Sequence, residues 1–214
     1  MLKFLRRGLL LLLAALSLPA LATTTTPHQV VQGTIDQVLG ELNSRRELFR
    51  QDPEAFYQSL DRILAPVVDF DGFARGVMTV RYSRSASPAQ MQAFQDSFKR
   101  SLMQFYGNAL LEYENQEIRM LPVAPEREPG RASVNMEIVG RNGAVYPLSY
   151  TMVQQQGRWM VRNVIVNGIN IGKLFRDQFA DAMRNNRNDL DRVIATWGDT
   201  VARSRQTVEA QGAR

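Results

Sequence analysis

The sequence predicts an α+β fold in which helices wrap one face of a curved antiparallel sheet of about four strands and enclose an apolar cavity against it. Three observations predict it. Apolar residues recur at helical spacing up to Tyr113, the period switches to two between residues 116 and 166, and helical spacing returns from Lys173 to about Ser204. No internal repeat or low-complexity linker interrupts the pattern, so residues 23–214 read as one domain, with 206–214 as a frayed tail.

The first residues are basic, with Lys3, Arg6 and Arg7, and an apolar run from Leu9 to Leu18 precedes Pro19, Ala20, Leu21 and Ala22. The run is too short to span a bilayer, and small residues at 20 and 22 suit signal peptidase. Residues 1–22 are therefore expected to be a cleavable secretory signal peptide that sends the chain to the bacterial periplasm. No Cys follows the run, which argues against lipoprotein attachment.

Three helix starts share one design. Thr26 and Ser87 each place a hydroxyl at the N-cap, with Pro27 or Pro88 next and Gln29 or Gln90 positioned to close a capping box. Asp52 and Pro53 begin another helix in the same way. Val31, Ile35, Val38, Leu39 and Leu42 mark the inner face of the first helix, and Phe56, Leu60, Ile63, Leu64 and Val67 that of the second. A short helix is expected after Asp69, through Phe70, Phe73, Ala74 and Val77, and the longest over 88–111.

Strands are expected over 116–123, 132–140, 144–154 and 159–166. Asn142 and Gly143 predict a type I′ hairpin turn between the second and third, and Gln156 and Gly157 a tight turn between the third and fourth. Two helices follow, over 173–184 with Leu174, Phe175, Phe179 and Ala182, and over 189–204 with Leu190, Val193, Ile194, Trp197 and Val201.

Composition narrows the function. The formal charge of +5 falls to +2 once Lys3, Arg6 and Arg7 are removed, which leaves no dense basic stripe and argues against nucleic acid as a partner. Cys is absent, excluding a thiolate nucleophile, and His28 is the single imidazole, in the first turn of a surface helix. Zinc would then need carboxylates alone, so no metal is expected. Asp69 and Asp71 are the best candidates for acid–base chemistry, but Asp69 suits an N-cap and Asp71 complements the helix dipole. The glycines between 72 and 76 and between 168 and 172 match no nucleotide fingerprint. The chain offers no convergent catalytic set and reads as a non-enzyme.

It offers apolar surface in excess. The long helix carries Met91, Phe94, Phe98, Leu102, Phe105, Tyr106 and Leu110, and the sheet is expected to face it with Met136, Tyr146, Leu148, Tyr150, Met152 and Trp159. So many flexible and aromatic groups describe a core that stays adaptable.

Several stretches, in succession behind a signal peptide, resemble one known family. They are Val68 to Arg75, Ser87 to Phe98, Tyr106 to Tyr113, and Gly157 to Gly168 followed by Phe175 to Phe179. Together they are similar to the MlaC, or toluene-tolerance auxiliary, family of periplasmic phospholipid-binding proteins. Met78 and Thr79 stand where that family more usually has Leu and Gly, and Asn163 and Asn167 where an acidic residue is expected.

The resemblance implies an NTF2-like or cystatin-like domain that takes acyl tails into a cavity between sheet and helices. It further implies a soluble phospholipid carrier between outer and inner membranes that maintains outer-membrane lipid asymmetry. Bound phospholipid is then cargo, and no cofactor is needed. Its partners would be an outer-membrane lipoprotein–porin complex and an inner-membrane ABC transporter with its ring-forming substrate-binding subunit.

Val77, Met78, Phe94, Phe98, Phe105, Met136, Leu148, Tyr150, Met152, Val164, Phe175 and Phe179 are the expected tail contacts, with Arg81, Arg84 and Lys173 at a head-group rim. Two rivals remain. One is a small periplasmic enzyme on a similar fold, using Asp69 or Asp71 on an apolar substrate; the other is a chaperone for lipoproteins.

Overall fold

The structure, a computed structural model, describes residues 25–125 and 128–202; the expected signal peptide and frayed tail lie outside the described residues. Four helices come first. The helix α1, Pro27–Gln51, bends at Arg45, and α2, Pro53–Leu64, follows after the single residue Asp52. Then come α3, Phe70–Ser83, and α4, Pro88–Leu111. The local caps are as the sequence predicts: Thr26 and Ser87 each close a capping box with a glutamine, and the Asp52 and Asp69 carboxylates accept from Ala55 and Gly72.

Five strands form an antiparallel meander in sequence order: β1 Glu117–Met120, β2 Arg131–Val139, β3 Val145–Gln155, β4 Arg158–Val166 and β5 Ile169–Asn170. The fifth, only two residues long, is the one the periodicity does not reveal. Between β3 and β4 the register shifts at Thr151 and Met152, so Arg162 is an extra residue that bends the strand. The shift keeps Trp159, Val161, Val164 and Val166 on the face shared by Leu148, Tyr150 and Met152.

Asn142 and Gly143 do not make the expected type I′ turn. Only Gly143 has positive φ, at 78°, and its amide donates to the Gly140 carbonyl while Gly140 N donates to Ala144 O. This is a three-residue loop with a left-handed glycine closing a bulge. The paired positive φ values of a type I′ turn occur at Gln156 and Gly157 (50° and 77°) and at Asn167 and Gly168 (49° and 81°).

The chain ends with α5, Ile171–Asn185, and α6, Leu190–Ala195. The final helix is not continuous to 204 as expected: Thr196 leaves helical geometry, and a separate helical stretch covers 197–202.

Layering corrects a second expectation. The sheet is covered by α1, α3 and α5, whereas α4 packs on α1, α2, α3 and α6 and forms the outer layer. The aromatic stripe of α4 therefore meets other helices, and Tyr146, expected to face it, is exposed.

Candidate functional site

Nine of the twelve predicted tail residues lie in or against two apolar clusters. Val77 and Met78 of α3, Phe94 and Phe98 of α4 and Phe175 and Phe179 of α5 gather in the helical layer, all buried, with Phe73, Met183, Val193 and Trp197. Met152 belongs to the second cluster, between the sheet and α1, with Val31, Val134, Trp159 and Val161, and half-buried Tyr150 packs against it. Met136 is buried on β2, and its neighbour across the strands is half-buried Leu148. Burial pushes the Tyr150 phenol pKa up, as an apolar surrounding does. Half-buried Val164 packs against both clusters and joins them. The side chain of Phe105 lies outside the described residues.

The helical cluster is largely aromatic. Phe94 stacks on Phe98 at 6.0 Å and meets Phe179 and Trp197 edge-on, each at 5.2 Å. Phe98 meets Phe73 at 5.1 Å and Phe175 at 5.6 Å, and Tyr82 covers Phe179 at 5.6 Å. Contacts of this kind contribute about 0.5–1.5 kcal/mol each beyond buried area. Sequence periodicity finds Phe94 and Phe98 directly. It places Trp197 on a helix face but gives no sign that the indole sits among phenylalanines from two other helices.

Above Val77 and Met78 the helix α3 breaks. Thr79 has φ 62° and ψ 165°, a region used essentially by glycine. Exposed Val80 and Arg81 follow, and the Arg81 guanidinium lies 5.2 Å from the Tyr82 ring centroid.

The expected rim cations do not form one group. Phe73 lies close to Gly172, and Tyr82 lies against Phe179, so α3 and α5 run parallel. Exposed Lys173 stands near the start of this pair, bonded to Asp177 at 2.7 Å, and exposed Arg81 and Arg84 stand at its end. The two positions therefore lie at opposite ends of the α3–α5 pair.

Asp69, the candidate base, is committed to structure. Its carboxylate accepts from Gly72 N at 2.9 Å and Gln155 Nε2 at 2.6 Å, and it pairs with Arg162. Around it, Asp69 N donates to Val161 O and Val161 N donates to Val67 O, which fastens the start of α3 to β4. A side chain at Gly72 would overlap both the Asp69 carboxylate and the Arg162 guanidinium. Asp71 is exposed and paired with Arg75 at 2.7 Å.

The two asparagines also have structural work. Asn163 Oδ1 accepts from Gly172 N at 2.9 Å, at the start of α5, and Asn167 supplies a left-handed turn residue. Among the described residues no cluster of His, Asp or Glu could hold a metal ion, and no helix is long and apolar enough to cross a membrane. A polar groove of about 560 Å³, lined by Arg50, Asn108, Leu111, Glu112 and Glu114, touches none of the predicted tail residues.

Comparison with known proteins fits this architecture. The chain is 58% identical over 209 residues, 98% of its length and 96% of the relative's, to the toluene tolerance protein ttg2D of Pseudomonas putida. It is 24% identical over 153 residues, 69% of the chain and 70% of the relative, to the intermembrane phospholipid transport system binding protein MlaC of Haemophilus influenzae. A phospholipid-binding protein from Ralstonia solanacearum, solved in complex with a phospholipid, superposes with a TM-score of 0.74 at 23% identity, covering 82% of this chain and 97% of that one. The profile of the MlaC protein family matches residues 32–199, and the chain belongs to that family.

Proposed function

We propose that this protein is a soluble periplasmic phospholipid carrier that moves lipid between the outer and inner membranes and so maintains outer-membrane lipid asymmetry. It does no covalent chemistry. The observation that carries the reading is the pair of apolar clusters meeting at Val164, one between helices and one between sheet and α1. Acyl chains enter the helical cluster beside α4 and α5 and reach the sheet at Val164, and the phenylalanine and methionine side chains repack around them.

The energetics favour such a carrier. Two sixteen-carbon chains exposed to water cost about 25 kcal/mol, at roughly 0.8 kcal/mol per methylene, so unassisted crossing of an aqueous gap is negligible. An interior of similar apolarity makes transfer from bilayer to protein nearly even. Direction is then set by small differences between docked partners, here the outer-membrane lipoprotein–porin complex and the inner-membrane ABC transporter with its ring-forming subunit. The names of the Haemophilus and Ralstonia relatives support phospholipid as cargo. The fastening of Asp69 by Arg162, Gln155 and Gly72 disfavours the rival in which it acts as a base.

Native mass spectrometry of protein purified from the periplasm tests this. The carrier retains phospholipid that solvent extraction releases. Protein that is folded, free of lipid and unable to take phospholipid from vesicles would refute it.

A further inference from the structure

Trp197 is fully enclosed, at 0% exposure, yet its indole Nε1 has no hydrogen-bond partner among the described residues. Its neighbours explain why. The indole stands 5.2 Å from the Phe94 ring, 6.0 Å from Phe179, 6.2 Å from Phe175 and 6.4 Å from Phe98. Phenylalanine faces are weak acceptors at best. A phenylalanine at 197 would pack among these rings without burying an unpaired donor, so the N–H is a standing penalty in a cluster that is otherwise apolar.

Among the described residues three other buried polar atoms are unpaired, and each has a simpler setting. Asp61 Oδ1 lies 3.0 Å from the Lys99 ammonium, His28 is in the first turn of α1, and Gln178 is only half-buried. Of these four, Trp197 alone combines complete burial with a position at the centre of the proposed tail-binding cluster. It also opens a new helical stretch, directly after the break at Thr196.

Methylene chains offer this donor nothing. On the apolar side of the phosphate, a diacyl phospholipid carries two acceptors of the right kind, its ester carbonyls. We infer that the Trp197 indole N–H donates a hydrogen bond to an acyl ester carbonyl of the bound phospholipid. This rests on the carrier reading above and adds to it a depth gauge: the glycerol esters stop within one hydrogen bond of residue 197, and the chains run on among Phe94, Phe98 and Phe175. The residue thereby distinguishes ester-linked from ether-linked lipid.

The test displaces a fluorescent phospholipid from the intact protein with dioctanoyl phosphatidylglycerol or with its di-O-octyl ether analogue. Trp197→Phe keeps the aromatic packing and removes the donor, and its ester-to-ether ratio corrects for the greater apolarity of the ether. Relative to that variant, the native protein should favour the ester about tenfold, the size of one buried neutral hydrogen bond. Equal ratios in the two proteins overturn the inference and leave the carrier reading standing; failure of both lipids to displace the probe from native protein overturns both.

A second measurement leaves residue 197 intact. The chain has two tryptophans, so Trp159→Phe makes Trp197 the sole indole. Its emission should shift to the red with the ester lipid relative to the ether lipid, and identical spectra would again overturn the inference.

Discussion

Replacing Thr79 by glycine should make the protein more stable, although it removes a side chain and loosens the chain. Thr79 sits at φ 62° and ψ 165° in the middle of α3, immediately after buried Val77 and Met78. A β-branched residue in this glycine-only region costs on the order of 1–3 kcal/mol. Glycine loses more backbone freedom on folding, roughly 0.5–1 kcal/mol. The difference leaves Thr79→Gly more stable by about 1 kcal/mol, which for a chain of this size raises Tm by about 2–4 °C. Gly76, three residues earlier, gives the opposite comparison. Its conformation is ordinary, and a Cβ built there meets nothing within 4 Å. Gly76→Ala should therefore also stabilise, by about 1 kcal/mol, through helix propensity alone. Urea unfolding followed by circular dichroism reads both, with Thr79→Ala as a third variant that relieves no strain and changes little. If Gly76→Ala stabilises while Thr79→Gly does not, the left-handed geometry at 79 is absent in solution and the reasoning fails.

Two further outcomes test the fastening of the layers. Gly72→Ala should destabilise by about 1–3 kcal/mol, because the new methyl overlaps the Asp69 carboxylate and the Arg162 guanidinium, and a urea midpoint at or above the native value would contradict it. Glu41 links α1 to α2: the Ser59 hydroxyl and then Arg45 hold its carboxyl below the ordinary value of 4.5. A carboxyl depressed in the folded state contributes stability above its unfolded pKa and loses it as pH falls through the folded one. Glu41→Gln should thus be about 1 kcal/mol less stable than the native protein at neutral pH. The gap should close in acid, and a difference independent of pH would exclude the ionised carboxylate as its source.

Much of the fold is legible because much of it is local. A hydroxyl followed by proline and glutamine specifies a helix start within four residues, so the caps at Thr26 and Ser87 could be read directly. Turn type is less local. Val139 pairs with Val145, and the Gly140–Ala144 bond then leaves three residues to close the loop, a length that Asn142 and Gly143 do not reveal by themselves. Nor does the apolar stripe of α4 say whether sheet or helices cover it; that depends on α3 and α5 taking the sheet first.

The candidate site divides in the same way. Phe94 and Phe98 stand out by spacing, as do Phe175 and Phe179. The seam at Val164 depends on the bulge at Arg162, which a strand pattern does not disclose. Thr79 looks ordinary by residue type, and only the resemblance, which places glycine there, hints at its backbone.

The attachment of residues 67–69 to β4 has a consequence for solubility. Asp69 N and Val67 O occupy the hydrogen-bonding groups of Val161 on the side away from β3, and β5 occupies those nearer Val166. At the opposite margin β1 is four residues long and presents Glu117 and Arg119, which pair with each other. Among the described residues, neither border of the sheet offers a long unpaired strand to another molecule. A carrier that parts its apolar interior to take up lipid, as proposed above, is thereby denied the commonest template for amyloid-like self-association.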